Sequence, residues 1–180
     1  MSDSSAHRDY PTDKIGRLAI AVTFHFNPAR LKYLQQIATG FERLADQVEV
    51  YVITNVTDSF NQSQIRQALS LHACEPQILA PALLGHPFLL TWCHREIFRQ
   101  RFDQDPGLSH FLYLEDDIQV GPHNIAYWLR GREALRPLGL IPSFLRFERC
   151  GTQYVDLSTD IVRPVDRHKI PSARLSEQYY

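Results

Sequence analysis

Three consecutive carboxylates, Glu115, Asp116 and Asp117, are the residues whose types and spacing point most clearly to chemistry. They directly follow residues 111–114, Phe-Leu-Tyr-Leu, an apolar run that is typical of a buried strand. Because like charges a few ångströms apart repel, the cluster is unfavourable unless a cation compensates it. Mg²⁺ or Mn²⁺, which prefers oxygen ligands and bridges to phosphates, would supply that charge. A solvated acidic turn after a buried strand explains the three residues equally well.

The chain around the acids alternates between strand and helix patterns. Apolar and period-two runs predict strands at residues 18–24, 48–53, 77–79, 111–114, 144–147 and 153–157. Helical spacing and proline-opened starts predict helices from Asn27 to about Asp46, over the stretch ending near Leu71, from Pro87 to Asp105 and from Pro122 to Leu135. This alternation predicts a three-layer α/β domain, with a mostly parallel sheet and helices on both faces. The acids would then lie at the carboxyl ends of the strands, which face the ligand crevice.

Length and composition indicate an ordinary globular protein of one domain. The chain has 180 residues, 44% of them hydrophobic, and a net charge of −1, which gives no electrostatic reason to expect nucleic acid as a partner. Three widely spaced cysteines predict neither a disulfide framework nor a zinc site. We expect a flexible lead-in at 1–14, an α/β domain at 15–162 and an irregular tail at 163–180. No signal peptide or membrane span is recognised, which predicts a cytoplasmic protein.

The segment from Leu114 to Pro122, Leu-Glu-Asp-Asp-Ile-Gln-Val-Gly-Pro, resembles the acidic motif of nucleotide-sugar glycosyltransferases of the GT-A fold. With Tyr127-Trp128 beyond it, it is most similar to the Glu-Asp-Asp form of N-acetylglucosaminyltransferases that act on mannose. The segment His86-Pro87-Phe88 also looks like the start of the helix that precedes the motif in those enzymes. The resemblance covers roughly residues 18–148, although only the motif and its flanks are specific. It implies a Rossmann-like GT-A domain that binds a UDP- or GDP-linked sugar with Mn²⁺ or Mg²⁺ and transfers the sugar to an unidentified acceptor.

The resemblance also implies roles for individual residues. Asp117 would contact the metal directly, Asp116 would serve as a second metal ligand or hold the ribose, and Glu115 would orient them. Two arginines without a motif, Arg30 near the same rim and Arg95 on the helix before the acids, could reach a phosphate. The ends of the first two strands would contact the nucleotide, through Thr23, Phe24, His25 and Asn55.

The sequence leaves other interpretations open. GT-A enzymes usually continue well past the acidic strand, whereas only residues 118–180 remain here. The sheet could therefore be incomplete at the C-terminus, and the chain could be a truncated or degenerate relative that binds nucleotide without catalysis; no catalytic residue is assigned. A phosphorelay receiver domain also pairs acids with Mg²⁺, with Asp160 in place of its phosphorylated aspartate. Too few residues follow Asp117 for the rest of a receiver, which disfavours it.

Aromatic side chains and one histidine fit the hydrophobic core better than a ligand site. His94 lies four residues from both Leu90 and Phe98, on an apolar stripe, so we expect a hydrogen-bonded core histidine. Bulky aromatic side chains are usually buried, and the same role is expected for Trp92, Trp128 and Phe144.

Overall fold

The computed structural model describes residues 15–82, 86–144, 147–150 and 153–158, the last two ranges as backbone. Six strands are present in this part of the chain: β1 Ile15–Phe24, β2 Ala45–Thr54, β3 Gln77–Leu79, β4 His110–Glu115, β5 Phe147–Cys150 and β6 Gln153–Ser158. Its α-helices are α1 Leu31–Ala38, α2 Ser59–Leu69, α3 His94–Gln104 and α4 Pro122–Leu135. The predicted lead-in at 1–14 and tail at 163–180 lie outside the described residues.

Strands β1 to β4 form a four-stranded, all-parallel sheet in the order β3-β2-β1-β4. Helices flank both faces, so the predicted three-layer α/β class is confirmed. Strands β5 and β6 pair antiparallel in a separate two-stranded sheet. The chain divides into two compact units, with the boundary between Ala126 and Tyr127.

Strand β1 is the centre of the larger sheet because it is apolar on both faces. From Leu18 to Phe24 every residue is buried, as expected for a strand between two parallel neighbours and two helical layers. Side chains alternate between faces along a strand. Ala19 and Ala21 therefore point to the layer that holds α3, where they pack in one cluster with Tyr51 and Leu90.

The strand order fixes where a crevice can form. Two successive right-handed connections carry the chain outward through β2 to β3, which places α1 and α2 on one face. The connection through α3 then returns past β2 and β1, so α3 packs on the opposite face and β4 joins the other side of β1. Successive strands are thus added on one side of β1 as far as β3 and then on its other side with β4. In open α/β sheets a ligand usually binds where the strand order reverses in this way.

The first helix is shorter than predicted. α1 ends at Ala38, and after a short turn the chain forms a 3₁₀ helix, Phe41–Arg43. Ala45 already pairs with Ile15 in the sheet, so the predicted helix boundary near Asp46 was wrong. The three-residue spacing of apolar side chains that predicted a continuing helix is equally suited to a 3₁₀ turn.

The helix predicted from Pro87 is divided into two kinds of helix. Pro87–Trp92 is a 3₁₀ helix and α3 begins only at His94. The tighter winding directs Leu90 into the core, where it is 1% exposed, and leaves Trp92 60% exposed. The prediction that Trp92 belongs to the core was therefore wrong.

The aromatic residues of the second unit also differ from the expectation. Phe144 is 48% exposed and lies outside any strand, so neither its core role nor a strand start at this residue is correct. Residues 145–146, the middle of the predicted strand, lie outside the described residues, and β5 begins at Phe147. Trp128 is partly buried, with the Arg132 guanidinium 5.2 Å from its ring centroid.

None of the helices in the described ranges combines the length and apolar character that crossing a bilayer requires.

Candidate functional site

The three carboxylates lie at the carboxyl end of β4, next to the end of β1. Glu115 is the last residue of β4 and pairs with Thr23 of β1. Asp116 and Asp117 form the turn that follows. Because the strand order reverses between these two strands, the acids lie at the rim of the crevice that the fold predicts.

A guanidinium from the first connection of the sheet reaches the acids. Asn27 caps the short 3₁₀ helix Pro28–Arg30 by accepting a hydrogen bond from the Ala29 N–H at 3.0 Å. Arg30, at the end of that helix, donates from Nε to Asp116 Oδ2 at 2.7 Å and from Nη2 to Asp116 Oδ1 at 2.8 Å. The same Nη2 donates to Asp117 Oδ2 at 2.9 Å. One arginine therefore holds both aspartates, and we name these three residues the Arg30 clamp.

Burial differs sharply within the Arg30 clamp. The side chain of Asp116 is 9% exposed, whereas that of Asp117 is 50% exposed and that of Arg30 is 38% exposed. The hydrogen bonds to Asp116, opposed by partial burial and assisted by Asp117, raise the pKa of Arg30. The guanidinium is thus a permanent positive charge, and part of the compensation that the sequence assigned to a metal comes from the chain itself.

Arg30 already occupies several of the carboxylate oxygens that could ligate a divalent cation. Within the ranges that the structure covers, no group of three or more His, Cys, Asp or Glu side chains could hold a metal ion by itself. Both oxygens of Asp116 accept from Arg30, while Asp117 is half exposed and gives one oxygen to the clamp. Mg²⁺ commonly binds through one or two carboxylates together with substrate phosphates and water. The residues present therefore fit a cation held mainly by Asp117 and completed by ligand oxygens.

Two buried hydroxyls lie below the acids on the α3 side of the sheet. Thr23 Oγ1 and the Tyr113 hydroxyl are near each other, but neither reaches hydrogen-bond geometry with a partner in the described structure. Burial raises the pKa of Tyr113, and the neighbouring Thr23 opposes the shift. Both hydroxyl oxygens are enclosed by protein atoms, so neither is exposed to a ligand at the surface.

His94 packs against this region as a structural residue. Its ring stacks on Tyr113 with centroids 4.0 Å apart, and its Nδ1 lies 2.6 Å from the Thr91 carbonyl oxygen. His94 has the predicted hydrogen bond, but it is only partly buried, at the edge of the core.

The remaining site candidates occupy different positions. Phe24 is fully buried in the core, so its side chain cannot contact a nucleotide, contrary to the expectation. His25 is exposed just beyond β1. Asn55 accepts a hydrogen bond from the Phe26 N–H at 2.7 Å, so it joins the loop after β1 to the end of β2. Arg95 is exposed on α3, with its guanidinium 5.3 Å from the Trp92 ring centroid, and no contact brings it to the acids.

Sequence reasoning missed the pairing inside the Arg30 clamp. The sequence signal was the acidic cluster itself, which a cation would stabilise, together with an arginine in the first turn after β1. The pairing spans 86 residues along the chain, and no local pattern selects Arg30 over the other arginines.

No family model, curated protein or solved structure matches this chain. The resemblance to GT-A glycosyltransferases therefore depends on the acidic motif and its position in the fold. The receiver alternative gains no support, because β5 and β6 pair antiparallel, whereas a receiver requires parallel βα units after its acidic strand.

Proposed function

We propose that this protein is a nucleotide-sugar glycosyltransferase of the GT-A type, which binds a UDP- or GDP-linked sugar at the rim formed by β1 and β4. The observation that carries the proposal is the position of Glu115, Asp116 and Asp117 at the reversal of strand order, beside Arg30. An acidic cluster at the carboxyl edge of a parallel sheet supports a site for a phosphate-bearing ligand and its cation.

Each residue of the site has a distinct role in this proposal. Asp117, the exposed carboxylate, would hold Mn²⁺ or Mg²⁺, and the cation would stabilise the negative charge of the departing nucleoside diphosphate. Arg30 fixes Asp116 through two hydrogen bonds and presents a positive charge to the pyrophosphate. Glu115 pairs with Thr23 at the carboxyl ends of the same two strands.

Calorimetric titration of UDP and GDP, each with and without Mn²⁺, tests the proposal. We expect Mn²⁺-dependent binding to the wild type and a loss of roughly tenfold or more in affinity for Asp117→Asn, because the cation loses its main charged protein ligand. Asp103→Asn is the matched control, since Asp103 is an exposed aspartate on α3. Equal affinity in both variants, or no binding to the wild type, would remove the proposal.

Activity separates a transferase from a nucleotide-binding relative without catalysis. Purified protein incubated with UDP- or GDP-linked sugars and Mn²⁺ would release the nucleoside diphosphate if the site supports transfer or slow hydrolysis. Metal-dependent binding without turnover would favour the non-catalytic alternative.

A further inference from the structure

We propose that a short apolar turn in the second unit inserts into the surface of a bilayer that carries anionic lipids. The turn presents Leu138, Leu140 and Ile141, and we name these three side chains the apolar tip. The proposal concerns binding at a membrane surface and does not depend on the activity proposed above.

The side chains of the apolar tip are turned toward solvent. Leu138 and Leu140 are 58% and 56% exposed, and Ile141 is 77% exposed. Tyr127 and Phe144, whose ring centroids are 5.7 Å apart, are each about half exposed as well. Scattered apolar residues are normal on a protein surface, whereas several within one short segment indicate a binding surface.

The turn that carries the apolar tip has a defined backbone. After the 3₁₀ helix Arg136–Leu138, Gly139 adopts a φ of 65°, in the left-handed region that favours glycine. The Gly139 N–H donates to the Arg136 carbonyl at 3.1 Å, and the Leu140 N–H donates to the Leu135 carbonyl at 3.3 Å. These are the two hydrogen bonds of a Schellman turn. In that motif the side chain after the glycine frequently packs on the helix, whereas here Leu140 stays more than half exposed.

The chain that follows the apolar tip packs back on α4. Pro142 is buried, and a Cβ at Gly131 would lie only 2.8 Å from the Pro142 Cβ, so glycine at position 131 permits this approach. The Tyr127 hydroxyl donates to the Ser143 carbonyl oxygen at 3.5 Å. Pro142 therefore faces inward and its neighbour Ile141 faces solvent, which holds the apolar tip outward on a packed support.

The segment that presents the apolar tip is positively charged. From Tyr127 to Phe144 the only acidic residue is Glu133, and the basic residues are Arg130, Arg132 and Arg136. This segment has a net charge of +2, whereas the whole chain has −1, so the rest of the chain carries −3. Arg136 lies 3.8 Å from Glu133, but both side chains are more than 70% exposed, so solvent screens that pair.

An apolar tip beside arginines fits an anionic bilayer better than a protein partner. A bilayer surface takes up a small apolar area and attracts basic side chains through its anionic headgroups. A stable protein interface usually involves about 20–30 residues on each side, and leucine is under-represented among the residues that dominate its affinity. The charge of the segment and the aliphatic character of the tip therefore both favour lipid.

Sedimentation of the whole chain with sucrose-loaded vesicles tests the proposal. One set of vesicles is phosphatidylcholine alone, and the other is phosphatidylcholine and phosphatidylglycerol in equal parts. The wild type should bind the anionic vesicles roughly tenfold or more tightly than the neutral ones, because their headgroups attract the arginines. Added salt should reduce this preference, since it screens exposed charges.

Two double variants separate the apolar and the electrostatic contributions. Leu140→Ser/Ile141→Ser should lower the affinity for anionic vesicles roughly tenfold or more, because the inserted apolar area is lost. Arg132→Gln/Arg136→Gln should retain weak binding to both kinds of vesicle and lose the preference for the anionic one.

Matched controls remove the same kinds of side chain from the first unit. Phe88→Ser/Leu89→Ser replaces two exposed apolar residues, and Arg43→Gln/Arg66→Gln replaces two exposed arginines. Both controls should bind vesicles like the wild type. Substitutions at exposed positions usually change stability little, so each variant should melt close to the wild-type temperature.

Quenching by lipids with brominated acyl chains reports insertion directly. The tryptophan of Ile141→Trp should show quenching beyond that of the wild type, whereas the tryptophan of Phe88→Trp should not. Vesicle binding without this additional quenching would place the contact on another surface and overturn the proposal.

Failure of the wild type to bind anionic vesicles, or an equal loss of binding in the controls, would also overturn it. So would a wild-type dimer that does not bind vesicles and that Leu140→Ser/Ile141→Ser dissociates, because the apolar tip would then contact a second copy of the chain. These outcomes do not affect the binding of UDP or GDP, so this proposal and the glycosyltransferase proposal fail independently.

Discussion

Asp116 and Asp117 are adjacent in the chain but have different environments. Asp116 is buried and accepts two hydrogen bonds from Arg30, whereas Asp117 accepts one and is half exposed. Charged hydrogen bonds stabilise a fold more when the carboxylate is shielded from water than when solvent screens it. We therefore expect Asp116 to hold the turn, and we propose Asp117 as the residue that binds.

Substitution of the two aspartates should separate these roles. We expect Asp116→Asn to lower the free energy of unfolding by about 1–2 kcal/mol, because the guanidinium loses its best acceptor pair. Asp117→Asn should change it by less than about 1 kcal/mol, as is usual for a solvent-screened ion pair. Urea unfolding of the three proteins measures the difference. A larger loss for Asp117→Asn would contradict the division of roles.

At the scale of secondary-structure elements, the 3₁₀ helix Pro87–Trp92 determines which side chains face the core. Leu90 packs against Ala19 and Ala21 of β1, whereas its neighbour Leu89 is 46% exposed. Phe88 and Trp92 are also turned outward, at 77% and 60% exposure. One side chain of this short helix therefore anchors the start of α3 on the sheet.

The adjacent leucines give a matched test of this arrangement. Leu90→Ala should destabilise the protein by about 2–5 kcal/mol, because it leaves a cavity between the helix and the sheet. Leu89→Ala should cost less than about 1 kcal/mol, since the removed atoms are half in solvent already. Thermal or urea unfolding measures both. Similar losses would mean that the segment is a regular α-helix with a different buried face.

At the scale of the whole molecule, charged side chains join the sheet to α3 at the end opposite the acids. Arg17 of β1 donates to Asp105 at 2.8 Å, and Arg101 of α3 donates to Glu49 of β2 at 2.8 and 2.9 Å. Tyr51 donates to the same glutamate at 2.8 Å, and burial together with this hydrogen bond raises the pKa of Tyr51 to about 12. The network connects three elements that are distant in sequence.

This network makes stability depend on pH. The hydrogen bond from Arg17 lowers the pKa of Asp105; burial acts to raise the pKa of Glu49, but the hydrogen bonds from Arg101 and Tyr51 outweigh it and lower that pKa. The unfolded chain therefore binds more protons in acid than the folded chain does. This contribution is present above the ordinary glutamate pKa of 4.5 and is lost as the pH falls through the lower folded-state values.

Urea unfolding between pH 7 and pH 3 checks this dependence. We expect stability to decrease as the pH falls below about 4.5 and the decrease to be shallower in Glu49→Gln, which has no carboxylate to protonate there. Glu75→Gln, at an exposed position, is the control and should keep the wild-type slope. Identical slopes for all three proteins would show that the network does not contribute.

Much of the fold followed from local patterns. The apolar run of β1 predicted a parallel strand covered on both faces, and the short strand at Gln77–Leu79 and the helix Pro122–Leu135 were predicted with these bounds. Each signal is contained within a few consecutive residues, because the pattern of apolar and polar residue types reflects which positions of an element are buried. The end of α1 and the 3₁₀ helix before α3 were missed because a 3₁₀ turn and an α-helix share similar apolar spacing.

The sequence by itself determined that an apolar strand ends in three acids, because residue type alone sets charge and strand tendency; whether a cation or solvent compensates them it left open. Only the tertiary structure decided that β4 lies beside β1, that Thr23 pairs with Glu115, and that Arg30 bonds to Asp116 and Asp117. These contacts depend on the spatial order of the strands in the sheet, which is set by packing across the whole sheet. No local stretch of the chain encodes that order.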